Sequence, residues 1–345
     1  MKILLLTNMY PSKEKPYGGI FVQNQYRAIK KQLGSEDRIQ IFYMRRKITR
    51  GVGTLWKYLR AGLRFIPHLF HTYEIVHLHF FYPLIYLVYA YKKLHPGVKV
   101  VVTFHGSDIN YAVNERNSQH LSKIAKCVDF AIPVGSTIAG KVNQKLNLEP
   151  GMILPVGVDR EVFYPQESTP KTYDFIWVGS FKEVKGIDLM IACIQKLDRK
   201  DLKYCFCGSG PYLPQLLELQ KQYDIEIRQN VSQKDLGTLL NQSHFFVLLS
   251  RNEGFPTATI EAMYCGVPVL TSDIPQFKEQ VTEGINGYTV PLENIDATVA
   301  KMSELAEIDS EKYRSLQQGA LQSLEAFSLE KVCANLIDVY RNVTR

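Results

Sequence analysis

Two glutamates flank the start of a predicted helix in the second half of the chain. Glu253 lies in the loop after the apolar run Phe245–Leu249, and Glu261 lies inside a helix that we expect from Pro256 to about Gly266. Proline is typical of the first helical position and glycine of the position after the last. At ~1.5 Å per residue, Glu261 is about 7–8 Å along the helix axis. The two carboxylates therefore bracket the N-terminus of this helix.

The start of such a helix is suited to an anion, because its unpaired backbone N–H groups and partial positive charge favour a phosphate. Glu253 and Glu261 could then accept hydrogen bonds from hydroxyl groups at the two ends of one extended ligand. A sugar nucleotide, in which a diphosphate joins a sugar to a ribose, is such a ligand. The same spacing also fits two glutamates on the surface of a helix, and spacing alone leaves both interpretations open.

Short apolar runs alternate with helical patterns along the whole chain, which is typical of parallel sheets buried on both faces. The predicted strands are Lys2–Thr7, Ile39–Tyr43, Ile75–His79, Val98–Phe104 and Phe130–Val134 in the first half, and Phe175–Gly179, Lys203–Cys207, Ile225–Gln229, Phe245–Leu249 and Val267–Thr271 in the second. Two such series predict an α/β protein with two Rossmann-like, doubly wound domains. Because ligands bind beyond the carboxyl ends of the strands in such sheets, we expect the site in a cleft between the domains.

A polar stretch without periodicity, residues 166–172, separates the two series and is predicted to be the linker. The length of 345 residues also favours two domains over one. The expected domains are residues 1–165, joined by a C-terminal helix at about 328–345, and residues 166–327.

Positive charge is concentrated in the first half of the chain. Residues 1–165 contain 23 Lys and Arg against 10 Asp and Glu, the rest of the chain contains 18 against 24, and the formal net charge is +7. Seven of the cations lie between Arg45 and Arg64, and no acidic residue follows them before Glu74. This uneven distribution suggests different partners for the two halves.

The segment Arg45–Arg64 has the pattern of an amphipathic helix from Val52 onward. One face carries large apolar residues and another carries cations; they are Leu55, Leu59, Leu63 and Ile66, and Lys57, Arg60 and Arg64. A basic amphipathic helix fits the surface of an anionic membrane. It also fits an ordinary surface helix with its apolar side inward. We expect no nucleic acid partner, because no nucleic-acid motif accompanies the charge.

Neither export nor a membrane span is indicated by the sequence. No apolar run reaches the roughly 18–20 residues that a spanning helix needs, and the first eight residues are typical of a strand rather than a signal peptide. The six cysteines form no CxxC pair and no metal-ligand spacing, so we expect buried thiols in a reducing compartment. A cytoplasmic protein, peripherally associated with a membrane, is therefore expected, and a disulfide scaffold or zinc module is disfavoured.

The segment Ser250–Val269 resembles the Glu-x7-Glu motif of the retaining glycosyltransferases of family 4, which have the two-domain GT-B fold. The resemblance extends into Thr271–Pro275 and Glu283–Tyr288. Weaker matches cover most of the chain and include Val178–Phe181, Lys185–Gly186, Gly208–Pro211 and Tyr17–Ile20. The resemblance implies the GT-B fold and transfer of a sugar from a nucleotide-sugar donor, as in bacterial enzymes of capsular, exopolysaccharide or teichuronic-type glycan synthesis.

The resemblance also assigns roles in donor binding. Glu253 would bind hydroxyls of the donor sugar, Glu261 would bind those of the ribose, and Lys185 would neutralise the leaving diphosphate. The implied donor-binding residues are Gly18, Gly19, Ser180, Lys185, Gly208, Gly254, Phe255, Thr257, Ala258 and Glu261. Ser180 stands where the family usually has an arginine, so Lys182 and Arg251 are candidates to supply the missing charge.

Further candidates lie near the predicted strand ends of the first half. His105, in the sequence His105-Gly106-Ser107-Asp108, resembles the family histidine that contacts the donor sugar and the reaction centre. Asp108 could orient the acceptor or the loop, or cap the next segment. Ser136 is expected to help cap a helix, with an acceptor contact as the alternative. The alternating His77 and His79 are interpreted as packing residues.

The sequence contains no Asp-x-Asp pair, so we expect neither a metal nor another cofactor. The resemblance implies that His105, Glu253 and Lys185 are the catalytic residues. The predicted reaction moves a hexose or N-acetylhexosamine from a nucleotide sugar, with UDP as the expected nucleotide, to a lipid-linked or polysaccharide acceptor. The alternatives are a sugar-nucleotide epimerase or a hydrolase of similar fold, and a non-catalytic subunit that binds sugar nucleotides or glycans.

Overall fold

The computed structural model describes residues 1–12, 18–44 and 52–345, and the side chains of all of these except residues 52–55. The chain divides into two compact units, Met1–Gly157 with Leu329–Arg345, and Val158–Ser328. Each unit contains one parallel sheet with helices between successive strands. The predicted α/β class is therefore confirmed.

The first unit ends at Gly157, and not at residue 165 as the composition of the linker suggested. Val158 and Phe163 are both buried in the core of the second unit. The buried side chain of Asn241 also donates a hydrogen bond to the carbonyl of Tyr164 at 3.0 Å. The segment before the polar stretch is thus ordered against the second unit without forming a helix or strand, which composition alone does not reveal.

The first unit has the sheet order β2-β1-β3-β4-β5. Its elements are β1 (Lys2–Thr7), α1 (Ile20–Gln32), β2 (Arg38–Tyr43), α2 (Val52–Leu69), β3 (Ile75–His79), α3 (Ile85–Leu94), β4 (Lys99–Phe104), a π-helical turn (Asp108–Ala112), α4 (Ser118–Ala125), β5 (Phe130–Pro133) and α5 (Ser136–Leu146). The central strand β3 is buried at every position, as a strand covered on both faces requires.

The second unit has the sheet order β11-β10-β9-β6-β7-β8. Its elements are β6 (Tyr173–Ser180), a 3₁₀ turn (Glu183–Lys185), α6 (Ile187–Leu197), β7 (Lys203–Ser209), α7 (Leu213–Leu219), β8 (Asp224–Arg228), α8 (Gln233–Asn241), β9 (Ser243–Leu248), α9 (Thr257–Tyr264), β10 (Val269–Ser272), α10 (Pro275–Lys278), β11 (Gly287–Val290), α11 (Ile295–Ala306), α12 (Ser310–Gln322) and a 3₁₀ turn (Glu325–Phe327). The edge strand β11 is absent from the predicted strands.

The last helix, α13 (Leu329–Thr344), belongs to the first unit. Its apolar residues Val332, Leu336 and Tyr340 are fully buried and recur at spacings of four, so they form one face. This face shares a core with α1, where Val22 and Ile29 are buried. The last helix is therefore held by the core of the first unit.

Each sheet has one topological switch point, where the chain changes the direction in which it adds strands. In the first sheet this point lies between β1 and β3, and in the second it lies between β6 and β9. Loops after these strands leave in opposite directions and open a crevice at the carboxyl edge of the sheet. Functional side chains are therefore expected at the ends of these four strands.

Helix α2 does not turn its apolar face inward, which was one of the two interpretations of its sequence. Phe65 and Ala61 face the core, whereas Trp56, Leu59 and Leu63 are 62%, 50% and 56% exposed. Ile66 is also exposed on the same face, at 43%. Of the predicted basic segment, Arg45, Arg46, Lys47 and Arg50 lie outside the described residues.

Across the described ranges, none of the helices combines the length and the apolar character needed to cross a bilayer.

Candidate functional site

Glu253 and Lys185 form an ion pair at the switch point of the second sheet. Glu253 lies in the loop after β9 and is 6% exposed, and Lys185 ends the 3₁₀ turn after β6. Lys185 Nζ lies 2.7 Å from both carboxylate oxygens of Glu253. The hydroxyl of the buried Ser250 donates to Glu253 Oε1 at 2.7 Å. The carboxylate is thus held by two donors before any substrate is considered.

Gly186 allows the turn that carries Lys185 to lie directly on the end of β9. Gly186 has a φ of 70°, and a Cβ on it would lie 2.0 Å from the carbonyl oxygen of Leu249. Both the left-handed backbone and this close approach require glycine. The Lys185–Gly186 pair therefore brings a cation from the β6 loop against the loop that contains Glu253.

Arg251 fastens the Glu253 loop to the neighbouring helix α6. Its guanidinium donates to both carboxylate oxygens of Asp188, at 2.8 and 2.7 Å, and Nε donates to Glu293 at 2.8 Å. A further N–H donates to the carbonyl of Glu183 at 2.5 Å, and these carboxylates raise the pKa of Arg251 above its usual value. The hypothesis that Arg251 neutralises a diphosphate is not favoured, since its donors are already engaged. Lys182, the other candidate, is exposed, and its role stays a prediction.

Glu261 lies on α9 without a hydrogen-bond partner among the described residues, although it is only partly exposed. Burial raises the pKa of its carboxyl to about 7. The helix starts one residue later than predicted, with Pro256 as the cap residue, and no side chain caps its first N–H groups. Thr257 and Ala258 occupy its first two positions. The start of α9 therefore offers backbone N–H donors. Glu261, on the same helix, offers a carboxyl that accepts no hydrogen bond from the described residues.

Other predicted donor residues have structural reasons of their own. A Cβ on Gly208 would lie 1.8 Å from the Gly179 carbonyl oxygen, so close packing of β7 on β6 requires glycine there. Ser180 is the last residue of β6. Gly254 precedes Phe255, whose ring lies 5.8 Å from that of Phe327. Their contacts with a donor stay predictions.

In the first unit, Gly19 precedes α1 with a φ of 80°, and a Cβ on it would come within 2.5 Å of the Met9 carbonyl carbon. Only glycine fits this position, and Gly18 lies just before it in the same turn. Ser136 is exposed at the first position of α5, and Gly135 is the cap residue. Contacts of Gly18, Gly19 and Ser136 with substrates stay predictions.

Asp108 organises the loop that contains His105. One carboxylate oxygen accepts from the Phe81 N–H at 3.0 Å, and the other accepts from the Gly106 and His105 N–H groups at 2.9 and 3.2 Å. Burial raises the pKa of Asp108 to about 6, although these hydrogen bonds act in the opposite direction. Of the expected roles, orientation of the loop is the one that these contacts support, and an acceptor contact stays a prediction.

His105 lies after β4 and lines a small cavity in the first unit together with Phe21, Gln25 and Thr103. Its Nε2 lies 2.9 Å from Nδ1 of His79, the last residue of β3. The interpretation of His79 as a packing residue is therefore incomplete, because this side chain contacts a predicted catalytic residue. The alternation of two histidines on one strand face is the signal that could have indicated such a contact.

A parallel α/β domain with an ion pair and an uncapped helix at its switch point is typical of nucleotide-binding proteins. Comparison with family models narrows this class. The model of Glycosyltransferase Family 4 matches residues 22–162, and that of Glycosyl transferases group 1 matches residues 159–323. The chain belongs to the family 4, group 1 glycosyltransferases, as the resemblance of its motif predicted.

Curated relatives agree with this family. The chain is 24% identical over 294 residues to the N-acetyl-alpha-D-glucosaminyl L-malate synthase of Bacillus anthracis, covering 79% of this chain and 75% of that protein. It is 26% identical over 285 residues to a GDP-mannose:cellobiosyl-diphosphopolyprenol alpha-mannosyltransferase of Xanthomonas oryzae, covering 78% and 74%. A putative teichuronic acid biosynthesis glycosyltransferase of Bacillus subtilis is 25% identical over 324 residues, covering 79% and 81%.

Solved structures confirm the GT-B fold. Sucrose-phosphate synthase from Thermosynechococcus elongatus superposes with a TM-score of 0.79 at 17% identity, covering 99% of both chains. HepE from Anabaena, in complex with UDP and glucose, gives a TM-score of 0.77 at 15% identity, covering 99% of this chain and 100% of that one. At these identities the likeness supports the fold alone.

The raised pKa of Glu261 predicts opposite effects on stability and on donor affinity. A carboxyl whose pKa is higher in the folded state stabilises the protein below about pH 4.5, and this contribution is lost as the pH rises to about 7. We expect Glu261→Gln to raise the melting temperature by about 2–4 °C at pH 8 and to leave it unchanged near pH 5.

The same variant should weaken binding of the donor by about 10–100-fold at pH 8, because hydrogen bonds to a charged acceptor are lost. In the wild type, donor affinity should fall as the pH drops below about 7, and in Glu261→Gln it should not. Calorimetric titration over this pH range measures both effects. A wild-type affinity that is constant from pH 8 to pH 5.5 contradicts the assignment of Glu261.

The contacts of Arg251 predict a structural role that stability measurements can separate from donor binding. Arg251→Gln should lower the free energy of unfolding by about 1–3 kcal/mol, the usual effect of losing charge-assisted hydrogen bonds. Lys182→Gln, a matched control on the exposed side of the adjacent turn, should leave stability unchanged. Chemical denaturation measures both variants. Weaker donor binding by Arg251→Gln at unchanged stability would instead support the hypothesis that Arg251 neutralises the diphosphate.

Proposed function

We propose that this protein is a retaining glycosyltransferase that moves a hexose or N-acetylhexosamine from a nucleotide sugar to a lipid-linked or polysaccharide acceptor. UDP is the proposed nucleotide, and the proposed reaction needs no metal or other cofactor. Among the described residues, no group of three or more His, Cys, Asp or Glu side chains could hold a metal ion. Transfer assays with and without EDTA test whether the reaction depends on a metal.

The observation that carries this proposal is the arrangement around the Glu253–Lys185 pair. Lys185, at 2.7 Å from both oxygens, holds the Glu253 carboxylate in one orientation, and the oxygens can also accept hydrogen bonds from sugar hydroxyls. The N-terminus of α9 begins four residues later and favours a diphosphate. Glu261 follows on the same helix as the acceptor for the ribose hydroxyls. The order of these groups along the chain matches the order of groups in a sugar nucleotide.

The proposed mechanism is substitution on the front face of the sugar. The bond between the anomeric carbon and the diphosphate oxygen breaks, and the sugar gains oxocarbenium character. The acceptor hydroxyl forms its bond to that carbon on the same face, and its proton passes to the leaving phosphate oxygen. Lys185 and the backbone N–H groups at the start of α9 stabilise the negative charge that develops on the diphosphate.

The relatives supply the support for a glycan acceptor. The Xanthomonas relative is named for a cellobiosyl-diphosphopolyprenol acceptor and the Bacillus subtilis relative for teichuronic acid biosynthesis. HepE was solved with UDP and glucose, whereas the Xanthomonas protein is named for GDP-mannose. We therefore choose UDP-sugars as the first donors to test and GDP-sugars as the comparison.

We also propose that α2 places the enzyme on an anionic membrane. Trp56, Leu59, Leu63 and Ile66 form an exposed apolar stripe about 80° wide at ~100° per residue. The cations Lys57, Arg60 and Arg64 lie directly beside this stripe. An exposed apolar stripe with a flanking row of cations fits the boundary between lipid headgroups and acyl chains. This position would bring the enzyme to a lipid-linked acceptor.

The function is tested by incubating the enzyme with radiolabelled UDP- or GDP-sugars and membrane extract, with and without EDTA. We expect transfer that EDTA does not inhibit, from one nucleotide class. Glu253→Gln should lower the rate of transfer by at least about 100-fold, the typical effect of removing a group that acts in the transition state. Its fold should be retained, since the change keeps the size of the side chain.

Glu167→Gln, at an exposed position of the same unit, is the matched control and should transfer normally. Donor binding without transfer or hydrolysis, under all conditions, would support a non-catalytic subunit instead. Near-normal transfer by Glu253→Gln would remove this residue from the reaction.

Membrane binding is tested by sedimentation with vesicles that contain phosphatidylglycerol. The triple variant Trp56→Ser, Leu59→Ser, Leu63→Ser should lose binding at every salt concentration, because each buried apolar side chain contributes about 1.5–3 kcal/mol. Arg60→Gln should weaken binding about fivefold at low salt, from ~1 kcal/mol per cation.

Leu94→Ser removes an equally exposed leucine, 62% exposed at the end of α3, and should bind like the wild type. Equal sedimentation of the wild type and the triple variant, or of the wild type with neutral and anionic vesicles, contradicts a membrane role for α2.

A further inference from the structure

A buried and a partly buried histidine of the first unit share a hydrogen bond next to its switch point. His79 ends β3, and His105 follows β4, which pairs with β3 in parallel. His79 Nδ1 and His105 Nε2 are 2.9 Å apart, and the two rings are stacked at 5.2 Å. The remaining nitrogens, His79 Nε2 and His105 Nδ1, are buried and have no hydrogen-bond partner among the residues that the structure describes.

Both imidazoles are neutral at physiological pH. Burial lowers the pKa of His79 to about 3, and burial together with the neighbouring His79 lowers the pKa of His105 well below its usual value. Two neutral imidazoles joined by one hydrogen bond have one proton between them. The pair therefore has two arrangements, in which either His79 or His105 is the donor.

The two arrangements differ in where they leave an N–H group without a partner. If His105 donates, the free N–H is Nε2 of His79, whose side chain is completely buried. If His79 donates, the free N–H is Nδ1 of His105, a residue that lines the cavity with Gln25 and Thr103. Buried N–H groups without acceptors are rarer than buried acceptors without donors, because they are more costly. Of the two histidines, only His105 lines this cavity, so an oxygen atom inside it, of water or of a substrate, can accept from His105. The arrangement with His79 as donor is therefore favoured.

We propose that His79 is a positioning residue that donates its Nδ1–H to His105 and thereby fixes His105 as the tautomer with a proton on Nδ1. His105 then donates a hydrogen bond from Nδ1 to an oxygen atom of a sugar substrate. The substrate part of this inference rests on the proposed function, whereas the tautomer does not. As a neutral donor, His105 orients or polarises the substrate and does not act as the base for the acceptor hydroxyl.

His77 provides a matched control within the same strand. It lies two residues from His79 on the same face and is equally buried. Its Nδ1 lies 2.6 Å from the Tyr340 hydroxyl and its Nε2 lies 2.8 Å from Thr103 Oγ1. Both of its nitrogens are thus occupied by hydroxyl groups, and it makes no hydrogen bond to His105.

The tautomer is measured by long-range proton–nitrogen correlation NMR of the full-length protein labelled with ¹⁵N. The signals of His105 are identified by their loss in His105→Asn. We expect a protonated Nδ1 and an unprotonated Nε2 at His105 in the wild type. The opposite pattern overturns the proposal without the need for any variant at His79.

Two variants test whether His79 sets this tautomer. In His79→Asn, the amide N–H replaces the Nδ1–H donor, so His105 should keep its tautomer and transfer should stay within about threefold of the wild type. In His79→Phe, the ring volume is retained without a donor, so the tautomer should change and kcat should fall about tenfold, as for one hydrogen bond. His77→Gln should leave the tautomer of His105 unchanged. An unchanged tautomer in a folded His79→Phe contradicts the proposal.

Failure of this inference is distinguishable from failure of the proposed function, because the NMR experiment uses no sugar nucleotide. A protein with the expected tautomer and no transfer activity supports the histidine pair and contradicts the proposed reaction. An active enzyme with the opposite tautomer supports the proposed reaction and contradicts the proposed role of the histidine pair.

Discussion

The ion pair between Glu253 and Lys185 is the interaction on which the candidate donor site depends. It joins the loops after β6 and β9, the two strands at the switch point of the second sheet. A carboxylate that is 6% exposed would be strongly destabilising without a partner, and Lys185 together with Ser250 provides that partner. The pair in turn requires glycine at 186, because any side chain there would meet the end of β9. One electrostatic requirement thus explains a lysine and a glycine in the loop after β6 and a serine and a glutamate in the loop after β9.

The loop around this pair is rigid at one end and open to hydrogen bonding at the other. Arg251, two residues before Glu253, attaches the loop to α6 through two hydrogen bonds to Asp188. Glu261, eight residues further on, has a carboxyl that accepts no hydrogen bond from the described residues, and burial raises its pKa. A fixed loop beside an unpaired carboxyl costs stability in the free protein, which is typical of a site prepared for a ligand. The same reasoning applies to the unpaired nitrogen of His105 in the first unit.

Sequence patterns predicted the elements better than the contacts between them. The strands Lys2–Thr7 and Ile75–His79 were predicted to the residue. The first contains the continuous apolar run that a strand buried on both faces needs, and the second contains a short apolar stretch interrupted by His77. The strand β11 (Gly287–Val290) was missed, because this edge strand pairs on one side only and is four residues long. The motif identified Glu253 and Glu261, but Lys185, the ion-pair partner of Glu253, lies in another loop, and local spacing contains no information about this contact. For α2 the sequence predicted an amphipathic helix, and only packing determines which face is covered.

Because position 180 is a serine and not the arginine usual in the family, stabilisation of the diphosphate charge in the proposed reaction depends more on Lys185. Arg251 is engaged by Asp188. Lys185 is the cation that the contact with Glu253 places at the proposed diphosphate site. The same contact partly compensates the charge of Lys185 in the free protein. A compensated lysine attracts the intact diphosphate of the donor only moderately. As the glycosidic bond breaks, negative charge on the leaving phosphate increases, and its attraction for Lys185 increases with it. An interaction that is stronger in the transition state than in the bound substrate raises kcat rather than affinity. The Glu253–Lys185 pair would therefore contribute more to the rate of transfer than to donor binding, and the backbone N–H groups at the start of α9 would carry the larger share of donor affinity.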